Sequence, residues 1–390
     1  MTGRRNRRRA ALLIAPLALF LGVFFFWPLA TMLAQSVSDP AVGRVLPLTS
    51  AAIADWDGQG VPPPEIQRAF ATDLHEATDD LAVGDMVRRL NSAQSGFRSL
   101  MNKTLPAVRE DVDVDLASLD RKWSNPAYWQ AIRGAVSPLT DRNLLATMDL
   151  ERNAGGEINR MPAGSSANGA IILRTLVVSA IVTLCCLLIG LPYAMIAASV
   201  TGWRRAVLLG AVLLPLWTSL LVRTAAWFIL LQDSGLINGM LTGLGIVDQP
   251  VQLIFNRLGV VIAMTHVLLP FMVLPIYSVL ATIPANLMPA AASLGARPLR
   301  AFWRVLLPLA LRGILSGVLL VFMTAIGYYI TPALVGGAND QMISAVITQY
   351  ATGSANWGMA AALGVVLLAL TLVLYACYGW LSREDAVRLS

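Results

Sequence analysis

Apolar residues in this chain come in long, nearly uncharged blocks. The blocks are residues 10–34, 170–200, 206–231, 258–283, 306–330 and 357–381. Each is long enough to cross about 30 Å of hydrocarbon as an α-helix, so the pattern predicts six transmembrane helices. Between the first two blocks the pattern changes, and residues 37–168 mix polar and apolar positions over a length too great for a plain connector. Ile66, Phe70, Leu74 and Ala77 recur there at helical spacing, and residues 96–105, 126–136 and 139–150 are further helix candidates. Pro40, Pro47, Pro62, Pro63 and Pro64 make the start of the segment read as loop. Gly155, Gly156, Gly164, Ser165 and Ser166 read as its exit linker. With Trp56, Trp123, Tyr128 and Trp129 as core aromatics, the segment is expected to be a small helical domain. It holds no cysteine, so support from the spans or from a partner is expected in place of disulfides.

Composition agrees with the blocks: 56% of the 390 residues are hydrophobic and 13% charged, against roughly a quarter charged in soluble domains. Residues 37–168 carry 13 basic and 18 acidic side chains, and the rest of the chain carries 16 basic and 5 acidic. The basic surplus sits mostly at the ends of spans and forms no aromatic-interleaved patch, so it reads as topology signal and excludes nucleic acid. Arg4, Arg5, Arg7, Arg8 and Arg9 precede the first span. Arg204 and Arg205 follow the second, Arg297, Arg300 and Arg304 the fourth, and Arg383 and Arg388 the last. These place both termini in the cytoplasm, with Asp233, Asp248 and Asp340 outside and Arg174 and Arg257 as two exceptions. Met32 stands where cleavage after Ala34 would need a small residue, so the first helix is expected to be retained. Lysine occurs only at 103 and 122, neither in a phosphate-cradling setting, so the chain does not hydrolyse ATP alone. Two histidines and three scattered cysteines make no metal cage.

The connector 283–308 carries the most information. It reads as a short alanine-rich helix through Ala290, Ala291 and Ala292, a left-handed cap at Gly295, and a second helix opened by Pro298. Ala290, Ala291, Gly295 and Val305-Leu306-Leu307-Pro308 resemble the EAA loop of ABC-importer permeases, with Pro289 where that pattern has glutamate. Resemblance to the first-permease branch of the spermidine/putrescine type extends over residues 173–378. It is carried by Leu214-Pro215-Leu216-Trp217-Thr218-Ser219, Leu221-Val222-Arg223-Thr224, Gly235-Leu236-Ile237-Asn238, Leu269-Pro270-Phe271 and Tyr329-Ile330-Thr331-Pro332-Ala333-Leu334-Val335-Gly336-Gly337. The external segment is much larger than that family's usual first external loop.

The resemblance implies an all-α polytopic membrane protein with the type I ABC importer permease fold and a helical external insertion. Its parts would be an arginine-rich tail and first span (1–36), the external domain (37–168), a five-helix core (169–381) and a cytoplasmic tail (382–390). It further implies a bacterial inner-membrane subunit that is not itself an enzyme and holds no cofactor, ATP and magnesium being bound by two ATP-binding cassette partners. A second homologous permease, with a homodimer as the alternative, and a periplasmic solute-binding protein complete the complex, in contact with membrane lipid. Ala290, Ala291, Gly295, Ala296, Arg297 and Arg300 would couple it to the ATPase.

Residues of the spans that could line a path are Arg223, His266, Tyr328, Tyr329, Asp340 and Trp357. Counted as one straight helix, the third span puts Arg223 about 25 Å from its start, near the outer boundary. Snorkelling and a vestibule role both fit it there. A guanidinium suits a carboxylate-bearing solute, such as an opine, better than a polyamine. His266, on a helix bent by Pro270 and Pro275, is expected to donate a helix–helix hydrogen bond. Interfacial belting and contact with an organic cation both fit the aromatic residues. A membrane-anchored external sensor and a secondary transporter are the competing readings. The first lacks a cytoplasmic signalling domain, and the second lacks polar coupling sites at mid-span.

Overall fold

The computed structural model describes residues 13–152, 157–162, 164, 167–354 and 356–388; for 377 and 380–388 it describes the backbone alone. The N-terminal arginines, Gly155, Gly156, Ser165 and Ser166 lie outside the described residues, as do the side chains of Arg383 and Arg388. Five described helices are long and apolar enough to cross a membrane: α1 (Leu13–Ser36), α10 (Asn168–Ser199), α14 (Arg257–Leu280), α16 (Pro298–Ile326) and α19, apolar over Trp357–Ala376 and helical to Arg388. The sixth expected span is broken. Gly202–Trp217 (α11) and Leu220–Leu230 (α12) meet at 99°. The straight reading failed because the apolar run is unbroken, whereas Thr218 and Ser219 take extended backbone angles just after Pro215. The chain divides into two compact units, residues 1–166 with 356–362, and residues 167–355 with 363–390.

The first unit contains α2 (Ala41–Val45), α3 (Pro47–Ile53), α4 (Pro64–Glu76), α5 (Asp80–Ala93), α6 (Phe97–Glu110), α7 (Leu116–Leu119), α8 (Pro126–Ala135) and α9 (Arg142–Thr147). The prolines expected to mark loop instead open helices, Pro47 in α3 and Pro64 in α4, where the missing N–H has no intrahelical role. The candidate at 96–105 runs on through Pro106 to Glu110. The candidate at 139–150 shortens to α9 and ends in a small antiparallel hairpin, β1 (Leu150–Arg152) against β2 (Ile158–Arg160), with Leu150 opposite Arg160. The domain has a core of its own, built of buried side chains from Val42 to Ala135. Phe70, Phe97, Trp123, Tyr128 and Trp129 form its centre, with Trp123 edge-on to Phe70 at 5.0 Å. Both indoles are satisfied: Trp123 Nε1 donates to Thr104 Oγ1 at 3.0 Å and Trp129 Nε1 to the Trp123 carbonyl at 2.9 Å. Buried Asp73 caps α3 from across the core, accepting from the Thr49 N–H at 2.7 Å and the Thr49 hydroxyl at 2.6 Å. Entry and exit of the domain pair at a neck, where Thr140 N–H donates to the Val37 carbonyl at 2.8 Å and Asp39 N–H to that of Pro138 at 3.0 Å.

The second unit is built on α10, α14 and α16, with α11 beside them. Close approach is allowed by missing side chains. A Cβ on Gly190 of α10 or on Gly317 of α16 would stand 2.9 Å from Met272 of α14, and one on Gly313 would stand 2.9 Å from the Pro275 carbonyl. Met272 therefore fills the seam between three helices, the small-residue packing that spans use in lipid. The remaining short helices are α13 (Leu236–Gly243), α15 (Leu287–Ser293), α17 (Ile330–Val335) and α18 (Ile343–Thr348). The fifth span begins eight residues before the expected 306, because Pro298 starts a helix that continues through a π-turn at Phe302–Leu306 into the apolar run. Tyr328 and Tyr329 lie beyond its end.

Candidate functional site

The elbow between α14 and α16 follows from its local sequence. Helix α15 buries no side chain, and seven residues are too few for a helix to stand on propensity alone. Its ends are therefore decisive. Pro289 falls in its first turn, where an absent N–H leaves no carbonyl unpaired, so the missing family glutamate is accommodated without a kink. At the other end Gly295 has φ +82°, its N–H donates to the Ala292 carbonyl at 2.9 Å, and the Ala296 N–H donates to that of Ala291 at 3.0 Å. That reciprocal pair is a Schellman cap. Nothing lies within 4 Å of where a Gly295 Cβ would stand, so glycine is required by backbone angle and not by space. Arg297 then precedes Pro298, the first residue of the next helix.

The elbow presents an apolar surface: Leu294 is 89% exposed, Leu299 74% and Trp303 62%. Ala290 is exposed, and Ala291 and Ala296 are half-buried. Arg297 and Arg300 are exposed and pair with no carboxylate among the described residues. The sequence identified the backbone device but missed Leu294, Leu299 and Trp303, whose exposure is a property of the fold.

Two of the span candidates, Arg223 and His266, stand on helices joined by a side-chain hydrogen bond in the second unit. Arg223 on α12 donates from Nη2 to the Thr218 carbonyl at 2.8 Å, across the break, while its Nε is buried and has no partner among the described residues. One turn further on, Trp227 Nε1 donates to His266 Nδ1 at 3.1 Å, with the rings 5.4 Å apart. An indole only donates, so Nδ1 accepts and the imidazole proton sits on Nε2. This corrects the expectation that His266 donates to a neighbouring helix. Three residues after Tyr328, the Thr331 hydroxyl meets that of Thr224 on α12 at 3.0 Å in a buried contact. Arg223 stands just past the break, on the arm that turns 99° from α11.

The other candidates are placed apart. Asp340 is buried and ion-paired to Arg257 at 3.3 Å, and Arg174 donates to the Gln341 carbonyl at 3.4 Å. The two arginines that departed from the charge pattern are thus both tied to the segment following α17. Tyr329 is 39% exposed at the start of α17. Trp357 groups with the first unit and opens α19. Arg312, exposed on α16, is an ionisable span residue that sequence reasoning passed over.

Comparison with known proteins places this geometry. Residues 190–384 match the family described as binding-protein-dependent transport system inner membrane component. The spermidine/putrescine transport system permease protein PotB of Haemophilus influenzae is 37% identical over 53% of this chain and 73% of its own length. The Escherichia coli protein of the same name is 35% identical over 53% of this chain and 76% of its own. The Escherichia coli inner membrane ABC transporter permease protein YdcU is 34% identical over 57% of this chain and 74% of its own. A solved bacterial alginate ABC transporter, in complex with a periplasmic protein holding an alginate pentasaccharide, aligns with a TM-score of 0.49 at 19% identity over 57% of this chain and 80% of that one. The family assignment rests on the sequence matches: this chain belongs to the inner membrane components of binding-protein-dependent transport systems.

Proposed function

We propose that this permease subunit imports a small organic solute related to the polyamines and is driven through the 283–308 elbow by separate ATPase subunits. The observation that carries the reading is the elbow, in which a glycine-capped helix holds Leu294, Leu299 and Trp303 out from the fold beside Arg297 and Arg300, which pair with no carboxylate among the described residues. An apolar patch rimmed by positive charge is a surface for a protein partner. On it an ATPase would seat, and closure of the ATPase pair would rock α14 and α16 between inward-open and outward-open states. The relatives named for spermidine and putrescine support the solute class. A second permease completes the pore, and a solute-binding protein feeds it from outside.

The same reading puts the N- and C-termini and the elbow in the cytoplasm and the 37–168 domain outside, where it orients the binding protein. The face bearing Arg223, His266, Tyr328 and Tyr329 then lines the path, because exposed ionisable groups within spans do not face lipid cheaply. The test is co-expression with the genome-adjacent ATPase, second permease and binding protein, followed by reconstitution. ATP-dependent, binding-protein-dependent uptake of labelled putrescine or spermidine is expected. An assembled complex that hydrolyses ATP but moves neither solute would remove the polyamine class. Failure of any ATPase to copurify would remove the coupling role.

A further inference from the structure

The external domain is tied to the first span by a short series of bonds. Helix α1 has 24 residues and ends at Ser36; at about 36 Å it crosses the hydrocarbon with a few Å to spare, so Ser36 reaches the headgroup layer. Two residues later Ser38 forms an antiparallel bridge with Leu139, which holds the neck within about 7 Å of the end of the span. Asp141, two residues past Leu139, is ion-paired to Arg152 of β1, and the Met161 N–H donates to the Asp149 carbonyl at 2.9 Å, closing the base of the hairpin. Neck, α9 and hairpin are thus one bonded block that starts where α1 leaves the membrane. Its last strand residue, Arg160, precedes the first residue of α10, Asn168, by eight positions, so the chain keeps it within about 30 Å of the next span.

This block concentrates the exposed apolar surface of the domain. Among the described residues of 37–166, the large apolar side chains left exposed are Leu48, Val61, Leu81, Leu139, Met148 and Ile158, and half of them fall within 139–160. The register of the hairpin then separates its two faces. Leu150 pairs with Arg160 and Arg152 with Ile158, and paired residues share a face, whereas Glu151 and Asn159 take the opposite one. Aliphatic and guanidinium groups are thereby gathered on one face of a domain whose acids outnumber its bases, 18 to 13. Arg152 is neutralised by Asp141, but Arg160 is exposed and pairs with no carboxylate among the described residues. At the level where a span leaves hydrocarbon, this chemistry matches phospholipid: aliphatic groups enter the acyl boundary, and a guanidinium forks onto phosphate. We propose that Leu139, Ile158 and Arg160 rest on the phospholipid headgroups on the domain's side of the bilayer, with Arg160 holding a lipid phosphate. The inference rests on α1 and α10 crossing the membrane and not on the solute or the ATPase. This second attachment fixes the tilt of a domain that one helix would leave free to swing.

The assembled transporter in nanodiscs of phosphatidylcholine with phosphatidylglycerol tests this. Nitroxide labels on Ile158→Cys and Leu139→Cys, with the three native cysteines replaced by serine, are compared with a label on the exposed Leu81→Cys by electron paramagnetic resonance, using oxygen and an aqueous nickel chelate as relaxants. The first two are expected to lie about 5–10 Å into the headgroup–acyl boundary, and the third in water. Adding Arg160→Glu should move the label at 158 back toward water, and Arg160→Lys should hold it in place. A label at 158 as open to nickel as that at 81 overturns the proposal. So does one shielded from both relaxants, which would show a protein partner seated on the face, or one indifferent to Arg160→Glu. The wild-type complex gives an independent reading: phosphatidylcholine carrying a diazirine near its headgroup should form adducts within 139–160 after illumination. Adducts confined to 13–36 and the other spans overturn the proposal while leaving α1 in the bilayer and the permease reading intact.

Discussion

Replacing Gly295 isolates the backbone contribution to coupling. Its φ of +82° lies in the left-handed region, and because nothing stands within 4 Å of the position of a Cβ, a substituted side chain meets no clash. The cost is then conformational: about 1–2 kcal/mol for an L residue, with β-branched valine at the upper end. That energy acts on a helix that buries no residue and is closed by two cap bonds of 2.9 and 3.0 Å. A change of about 1–2 kcal/mol alters the population of the capped elbow by a factor of roughly 5–30. The three spans of the core share no contact with the added atoms, so membrane insertion and thermal stability are expected to hold. Asparagine enters the left-handed region more readily than other side chains, which gives a graded series. Binding-protein-stimulated ATP hydrolysis and solute uptake, measured at matched expression in proteoliposomes, should fall in the order wild type, Gly295→Asn, Gly295→Ala, Gly295→Val. Valine at wild-type rates in both assays would refute the requirement for the cap. Asparagine as damaging as valine would show that bulk, and not φ, is the constraint.

Reversal of one elbow charge, Arg297→Glu, is expected to weaken copurification of the ATPase, with the loss growing as salt is lowered and like charges are less screened; recovery independent of salt would count against acidic partners on the ATPase. Residues 39–138, which contain the whole aromatic core and end at the neck, are expected to fold alone with a cooperative thermal transition by circular dichroism, and a non-cooperative melt would show that the spans support the domain. In that fragment the hydrogen bond from Lys103, then the Lys122 N–H, hold the Asp120 carboxyl below its ordinary value. A depressed carboxylate stabilises above its unfolded pKa and loses that contribution as pH falls through the folded one, so Lys103→Met should move acid unfolding to higher pH, read by fluorescence. Gly317→Leu should destabilise the solubilised subunit by about 1–3 kcal/mol through overpacking against Met272, and Met272→Ala should restore part of it in thermal-aggregation assays.

What the sequence made legible was local. Gly295, Pro298 and the alanines specify the elbow through backbone angles and a first-turn proline, each decided within about ten residues. The apolar blocks located the spans for the same reason. The features it hid depend on distant partners or on the absence of a signal. The neck joins Val37 to Thr140, and Arg257 meets Asp340 across 83 positions, so neither is present in any local window. Helix α5 was missed because Gly84 and Asn91 dilute its pattern, and the core side chains Val83, Met86 and Leu90 that justify it are recognisable only once α6 is in place. The break at Thr218 and Ser219 falls inside an uninterrupted apolar run in which Pro215 alone hints at a bend.

That break bears on topology as well as on Arg223. If the bent pair α11 and α12 crosses the membrane, the chain makes six crossings, and Arg204 with Arg205 shares a side with the elbow arginines Arg297, Arg300 and Arg304. If the pair were re-entrant, α14 would start on the side of Arg204, and the elbow would emerge opposite it. Three arginines would then sit on the translocated side while Asp233, Asp248 and Asp340 were retained, which inverts the positive-inside pattern at every connector after the break. The charge distribution therefore argues for a crossing pair, and the arginine that donates across the bend is what keeps a broken span tolerable in hydrocarbon. Its bond satisfies the Thr218 carbonyl that the missing turn leaves without a helical partner.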